Sequence, residues 1–199
     1  MTVLLSRNEV ESTAQLAERD PLTGALTRQS FFQRLVGHSA TANTTGQSFC
    51  ICLIGTDQLQ NINEQHGQLV GDETLAQVAR LILLELAVAL PENHEADLAR
   101  YDGNGFALLL CDSDLELASM VAESCRRQIG ATEIRKGVGV TISAGVSCYR
   151  LWESAEDTLT RAEQALHLAK QFGRDRVEVA ESPASSPERA DVITLERSA

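Results

Sequence analysis

Few side chains in this sequence combine the types and the spacing that do chemistry. His38, His66 and His167 show no metal-ligand spacing, and no Ser/His/Asp or Cys/His arrangement marks a nucleophile. What remains is a scatter of carboxylates, amides and cations. Asp102-Gly103-Asn104-Gly105 sets a carboxylate and an amide in a run of turn formers. By itself it reads as a tight hairpin turn, because these residues tolerate positive φ. Asn63 reads locally as a turn residue before Gly67, and Asp72 as a helix N-terminal residue favoured by capping and the dipole. Lys170 and Arg174, with Arg176, form the densest basic cluster, near the end of a helical stripe where the dipole favours cations. His94 follows Pro91 and reads as a surface residue.

The elements that must position these groups come from a chain of 199 residues, enough for one domain with a core. Its net charge is −11 and no basic patch stands out, which argues against nucleic acid but leaves room for a nucleotide in a locally basic pocket. Hydrophobic residues make up 43% of the chain, yet no apolar run approaches the ~20 residues of a membrane span. The apolar start Met1-Thr2-Val3-Leu4-Leu5 is too short for a signal-peptide core, so a soluble cytoplasmic protein is expected. Five cysteines (Cys50, Cys52, Cys111, Cys125, Cys148) sit mostly in apolar runs. Their odd count and irregular spacing predict buried free thiols in a reducing compartment.

Residues 7–18 carry a short amphipathic pattern that predicts a linker helix. Asp20-Pro21-Leu22-Thr23-Gly24 is a turn, 25–36 a helix and 37–47 a loop. Residues 49–54 are apolar on both alternations, as in a central strand. A short helix over 57–65 and a long one over 69–90 follow, the latter with Leu75, Val78, Ile82, Leu86 and Ala89 on one stripe. Residues 98–101 and 106–111 make a hairpin, 115–129 a helix, and 138–148 an alternating strand. Leu159, Ala162, Leu166 and Ala169 mark a last helix capped at Gly173, and 176–180 a last strand. Trp152 is expected to pack near a strand end. The order predicts an α+β sandwich with a mainly antiparallel sheet.

Four segments, in order, carry a resemblance to a known family. Residues 19–28 resemble its D-x-L-T-G-L-x-N-R motif. Residues 53–72, with Ile62-Asn63, Gly67 and Gly71-Asp72, are similar to D-I-D-x-F-K-x-I-N-D-x-x-G-H-x-x-G-D. Arg100-Tyr101-Asp102-Gly103-Asn104-Gly105-Phe106 stands where that family carries R-Y-G-G-D/E-E-F. Thr141-Ile142-Ser143-Ala144-Gly145-Val146 and residues 169–177 resemble T-x-S-x-G-V and A-K-x-x-G-R-N-x-V. Together they resemble the GGDEF family, the diguanylate cyclase fold. The resemblance implies a nucleotide-cyclase-like palm, with a central, mainly antiparallel sheet flanked by helices. The chain is accordingly divided into a linker helix over 1–18, a degenerate GGDEF domain over 19–180 and, on its Ser/Pro-rich composition, a disordered tail over 181–199.

Such enzymes condense two GTP molecules into cyclic di-GMP, and Mg²⁺ offsets the charge that develops on the phosphates. The resemblance places the metal carboxylates at Gly55 and Asn104, neither of which carries one. The next signature position, acidic in the family, is Gly105, and Asp102 replaces a glycine; Gly103 and Phe106 match. Asp57 and Asp102 could serve as substitute ligands. Asn63 and Asp72 fall on the guanine-reading positions, where an amide and an acceptor suit the base edge. Lys170 and Arg174 fall on phosphate-contacting positions, while the family's other phosphate lysine is Gln60. The product-inhibition motif R-x-x-D becomes His94 with Asp97, which lacks the bidentate guanidinium.

The expected function is that of a catalytically inactive regulatory or protein-interaction module in cyclic di-GMP signalling, able to bind guanine nucleotide. Mg²⁺ is expected only together with a bound nucleotide. A protein partner is expected, with GTP or cyclic di-GMP as ligands, no nucleic acid, no membrane span, and a homodimer conceivable through the N-terminal helix. Three alternatives stand beside it: a weakly active diguanylate cyclase using Asp57 and Asp102, a cyclic di-GMP receptor built around Asp97, and a purely structural domain.

Overall fold

The computed structural model describes residues 18–92 and 94–180. The linker helix expected before residue 18 and the tail expected from 181 lie outside the described residues. The elements run α1 (Arg28–Thr45), β1 (Phe49–Thr56), α2 (Leu59–His66), α3 (Gln68–Ala89), β2 (Ala96–Arg100) and β3 (Gly105–Cys111). They continue as α4 (Leu115–Gly130), β4 (Glu133–Arg135), β5 (Val138–Gly139), β6 (Ile142–Cys148), α5 (Ala155–Gln171) and β7 (Val177–Val179). No helix among the described residues is long and apolar enough to cross a membrane.

The main sheet has the order β2-β3-β1-β6-β7. Its pairings are antiparallel except that of β6 with β7. All of β1 is buried at the centre of the sheet. Cys50, Cys52 and Ile54 face a core shared with α3 and α4, and Phe49, Ile51 and Leu53 face one shared with α1 and α5. Covering of both faces is why the strand reads apolar on both alternations. Along α3, Leu75, Val78, Ile82 and Leu86 are buried as the periodicity predicts. The α+β fold with a mainly antiparallel sheet flanked by helices is thus the observed one.

Four expectations need correction. The loop expected over 37–47 is helix through Thr45. There Ser39, Thr41 and Thr45 donate their hydroxyls to the carbonyls of Val36, Gly37 and Thr41, so a small polar run satisfies the helix's own backbone instead of breaking it. The single strand expected over 138–148 is two: β5 turns back onto β4, and β6 joins the main sheet. Val138, Val140 and Ile142 are all buried, so the alternation runs through the break. Trp152 is not packed but 81% exposed, on a left-handed backbone (φ 72°). Cys50 and Cys148 are direct partners across β1 and β6, with Cα atoms 3.9 Å apart, and are joined as a disulfide. They lie 98 residues apart in sequence, and only strand register brings them together. Cys52, Cys111 and Cys125 are free.

Helix α5 starts at a capping box formed by Ser154 and Asp157. It ends just before Gly173, whose φ of 114° turns the chain away from the helix. Its body lies very close to β6. A Cβ on Gly145 would sit 2.2 Å from the backbone nitrogen of Leu166 and 2.3 Å from the carbonyl oxygen of Ala162. Backbone cannot yield as a side chain can, so only glycine fits.

Gly145→Ala is therefore expected to lower unfolding free energy by about 1–3 kcal/mol or more, seen as a lower urea midpoint. An unchanged midpoint would mean that α5 is not seated on β6 in this way. Protein purified without reductant should weigh two hydrogens less than the reduced protein, and equal masses would refute the Cys50–Cys148 bridge.

Candidate functional site

The β2–β3 turn is clasped from inside by Arg100. Its Nε donates to the carbonyl of Asp102 at 3.0 Å and its Nη2 to that of Gly103 at 2.5 Å. Its Nη1 lies 3.7 Å from the carboxylate of Asp20, which also accepts from the backbone and hydroxyl of Thr23. The N-terminal turn and the hairpin are thereby held by one guanidinium. Within the hairpin, Asp102 Oδ1 accepts the Asn104 N–H at 3.1 Å. A Cβ on Gly105 would lie 2.6 Å from that same oxygen. Asn104 is sewn to the end of β1: its carbonyl accepts the Thr56 N–H at 2.9 Å, and its Nδ2 donates to the Thr56 carbonyl at 3.2 Å. A carboxylate at this position could not make the second bond.

Beside the hairpin lies an open cavity of about 200 Å³ lined by Gly55, Tyr101, Asp102, Glu163, His167 and Lys170, among others. Tyr101 donates its hydroxyl to Glu163 at 2.9 Å. Burial, together with that bond and the charge of Glu163, pushes the phenol up to about 12, so it stays a donor at neutral pH. A Cβ on Gly55 would lie 2.7 Å from Cε and 2.8 Å from Nζ of Lys170. The lysine side chain thus fills the space that any side chain at position 55 would enter.

Asp57 is 4% exposed and turned elsewhere. It accepts the hydroxyls of Thr141 and Ser143, both at 2.8 Å, and the N–H of Asp175 at 3.1 Å. That N–H is delivered by Gly173, Arg174 and Asp175, three successive residues of positive φ. Asp57 does not line the hairpin cavity but a separate one of about 400 Å³, with Gln58, Gln65, His66 and Thr141. Arg174 is exposed on the same turn.

Asn63 is on α2, and Asp72 follows Gly71 on α3. A Cβ on Gly71 would fall 1.7 Å from Asn63 Oδ1, so the glycine makes the room that the amide occupies. That Oδ1 is buried and has no hydrogen-bond partner. Asp72 is the fifth residue of α3, past the first turn, so capping does not account for it. Neither residue lines the hairpin cavity.

At the positions that the resemblance relates to product inhibition, Asp97 is paired within the protein, and His94, expected at the surface, has a buried ring nitrogen. Asp97 pairs with Arg34 of α1 at 2.6 Å, and His94 Nδ1 is buried without a partner. Nearby, Cys111 Sγ lies 3.5 Å from His38 Nε2. Burial first, then the charges of Asp97, Glu95 and Asp112, push this thiol up to about 11, the opposite of an activated nucleophile.

Mg²⁺ takes six oxygen ligands in octahedral geometry and usually binds through one or two carboxylates. Here Gly55 offers none, Asn104 turns its amide nitrogen to Thr56, and a lysine ammonium stands where the metal's carboxylate would project. No group of three or more His, Cys, Asp or Glu side chains among the described residues could hold a metal. The residues present do not fit the ion.

A five-stranded palm with this hairpin beside its central strand defines a class of fold, and comparison with known proteins identifies it. Residues 17–176 match the family described as diguanylate cyclase, GGDEF domain. The chain belongs to the GGDEF family. It is 34% identical over 177 residues to diguanylate cyclase DgcP of Pseudomonas aeruginosa, covering 87% of this chain and 25% of that one. It is also 34% identical over 170 residues to diguanylate cyclase A of Treponema denticola, covering 82% of this chain and 44% of that one. The chain thus spans less than half the length of these curated relatives. Among solved structures, the GGDEF domain of DgcB from Caulobacter crescentus in complex with c-di-GMP superposes with a TM-score of 0.74 at 26% identity, covering 83% of this chain and 97% of that one. Diguanylate cyclase SiaD in complex with its activator SiaC, from Pseudomonas aeruginosa, gives 0.77 at 31% identity, covering 87% and 66%.

Arg100, Thr141 and Ser143 fall within the motifs quoted above without a role assigned to them, and Glu163 falls in none; each is recognised by the partner it meets in space. Asp57→Ala would leave two hydroxyls and one N–H without their acceptor. It is expected to lower stability by about 3 kcal/mol in urea unfolding, equally with and without Mg²⁺. Stabilisation by Mg²⁺ of the wild type but not the variant would make Asp57 a metal ligand instead.

Proposed function

We propose that this chain is a non-catalytic GGDEF domain, a regulatory or protein-interaction module in cyclic di-GMP signalling that holds guanine nucleotide at Asn63 and Asp72. One observation carries the reading: Gly55 and Asn104 stand at the two metal positions, one without a side chain and the other with its amide bonded to Thr56. Two-GTP condensation needs metal-held phosphates, and this site lacks the means to hold the ion. The guanine positions are different. Asn63, whose Oδ1 has no partner within the protein, and Asp72 keep the amide and acceptor types that suit a guanine edge. Protein contact as the mode of action is supported by a relative: SiaD has been solved in complex with its activator SiaC.

Calorimetric titration with GTP and with cyclic di-GMP in Mg²⁺ buffer, followed by chromatography of the same samples, tests this reading. GTP binding without product is expected. Asn63→Ala and Asp72→Ala should each weaken binding about tenfold, the scale of one lost hydrogen bond in a desolvated site. Formation of cyclic di-GMP would overturn the reading. Cyclic di-GMP binding that Asp97→Ala abolishes, with GTP inert, would replace it with a receptor.

A further inference from the structure

We infer that Trp152 anchors a self-association surface: in a two-fold dimer, the indole of each copy fills the cavity beside α1 of the other. The inference goes beyond the nucleotide reading above and needs no ligand.

Three observations combine. First, Trp152 is held out from the protein. It is 81% exposed, with Leu151 exposed beside it. Its φ of 72° is one that a bulky aromatic adopts only where the surroundings impose it. Asn43 Oδ1 accepts the Trp152 N–H and the Tyr149 hydroxyl, each at 3.1 Å. Glu153 Oε1 accepts the Arg150 N–H at 2.8 Å and the Thr158 hydroxyl at 2.6 Å, and it pairs with Arg161. A single exposed apolar side chain is ordinary. One on a left-handed backbone tied from both sides is a built projection, and little freedom is left for docking to remove.

Second, a cavity of about 340 Å³ has the chemistry of an indole pocket. Ala42, Phe49 and the half-buried Cys111 give it apolar walls, and the exposed carboxylates Glu95 and Asp112 give it acceptors. An indole has two apolar faces and an N–H that only donates, so it needs both. Arg150, on the turn that carries Trp152, is opposite in charge to those carboxylates, which favours this docking over others. Third, projection and cavity are neighbours. Asn43, which holds the Trp152 backbone, follows Ala42 of the cavity wall, and Tyr149 stacks on Phe49 with ring centroids 4.6 Å apart. One patch that carries both halves of a contact is self-complementary, so two copies close on each other rather than growing into a chain. Two indoles bury ~150–250 Å² each, well short of the ~1,200–2,000 Å² of a stable interface. The dimer is therefore a reversible one, populated from roughly tens of micromolar upward.

The test follows the whole chain from low micromolar to about 1 mM by sedimentation velocity and by tryptophan emission. Trp152 is the chain's one tryptophan, so the emission reports it alone. A concentration-dependent dimer with a parallel blue shift is expected. Trp152→Ala should weaken self-association by about a hundredfold or more, since each half of the interface loses its aromatic anchor. Thr41→Phe, at an exposed position lining the cavity, should weaken it similarly while leaving the indole in place. Mixing the two variants restores one indole-in-cavity contact, and a dimer of intermediate strength should return. Urea unfolding verifies that both variants are folded. A chain that stays monomeric with constant emission, or a dimer undiminished by Trp152→Ala, would overturn the inference. Loss of the dimer in Trp152→Ala but not in Thr41→Phe would overturn it too, because the indole would then dock elsewhere.

Discussion

The approach of α5 to β6 is the contact on which the rest of the site depends. With no side chain at Gly145, the helix backbone rests almost directly on the strand backbone. Residues four apart lie on one face of a helix, so Ala162, Leu166 and Lys170 form a row over the sheet. Ala162 is fully buried, Leu166 packs against the same core, and Lys170 reaches the end of β1 at Gly55. Glu163, on the next row, reaches Tyr101 of the hairpin. One helix position therefore sets what faces the central strand and what faces the turn. A second glycine, on β1, completes the fit at the far end of the same row.

Around this helix several polar groups find partners within the protein. Asp57 is satisfied by two hydroxyls and a backbone N–H, Asn104 by the backbone of Thr56, and the hairpin carbonyls by Arg100. Each bond closes a buried or half-buried polar group that would otherwise be costly. The hairpin's shape is held by Arg100 and by the Asp102–Asn104 bond. Asn63 stands apart from this pattern, since its amide oxygen finds no internal partner.

Much of the fold was legible in the sequence. The doubly apolar β1, the stripe of α3, the Asp-Gly and Asn-Gly turn and the Gly173 stop each have a local cause that acts alike in sequence and structure. The failures share a different cause. Residues 37–45 look like loop because their hydroxyls are polar, but those hydroxyls bond inward to the helix. The break between β5 and β6 is invisible because burial continues through it. The pairing of Cys50 with Cys148 follows from register across strands, which composition does not carry. At the site, the resemblance located the positions, but not the partners: that Lys170 fills the space at Gly55, or that Asp57 is turned to Thr141 and Ser143, depends on packing between distant segments.

The crowding between positions 102 and 105 ties the two ends of this hairpin turn together. Asp102 and any side chain at 105 compete for one volume, since Asp102 Oδ1 lies 2.6 Å from the site of a Cβ on Gly105. An acidic residue introduced at 105 would therefore meet both steric overlap and like charge while Asp102 remains. A side chain at 105 is accommodated only if the Asp102 carboxylate swings away, which would break its bond to the Asn104 N–H, so the two positions are coupled through one hydrogen bond.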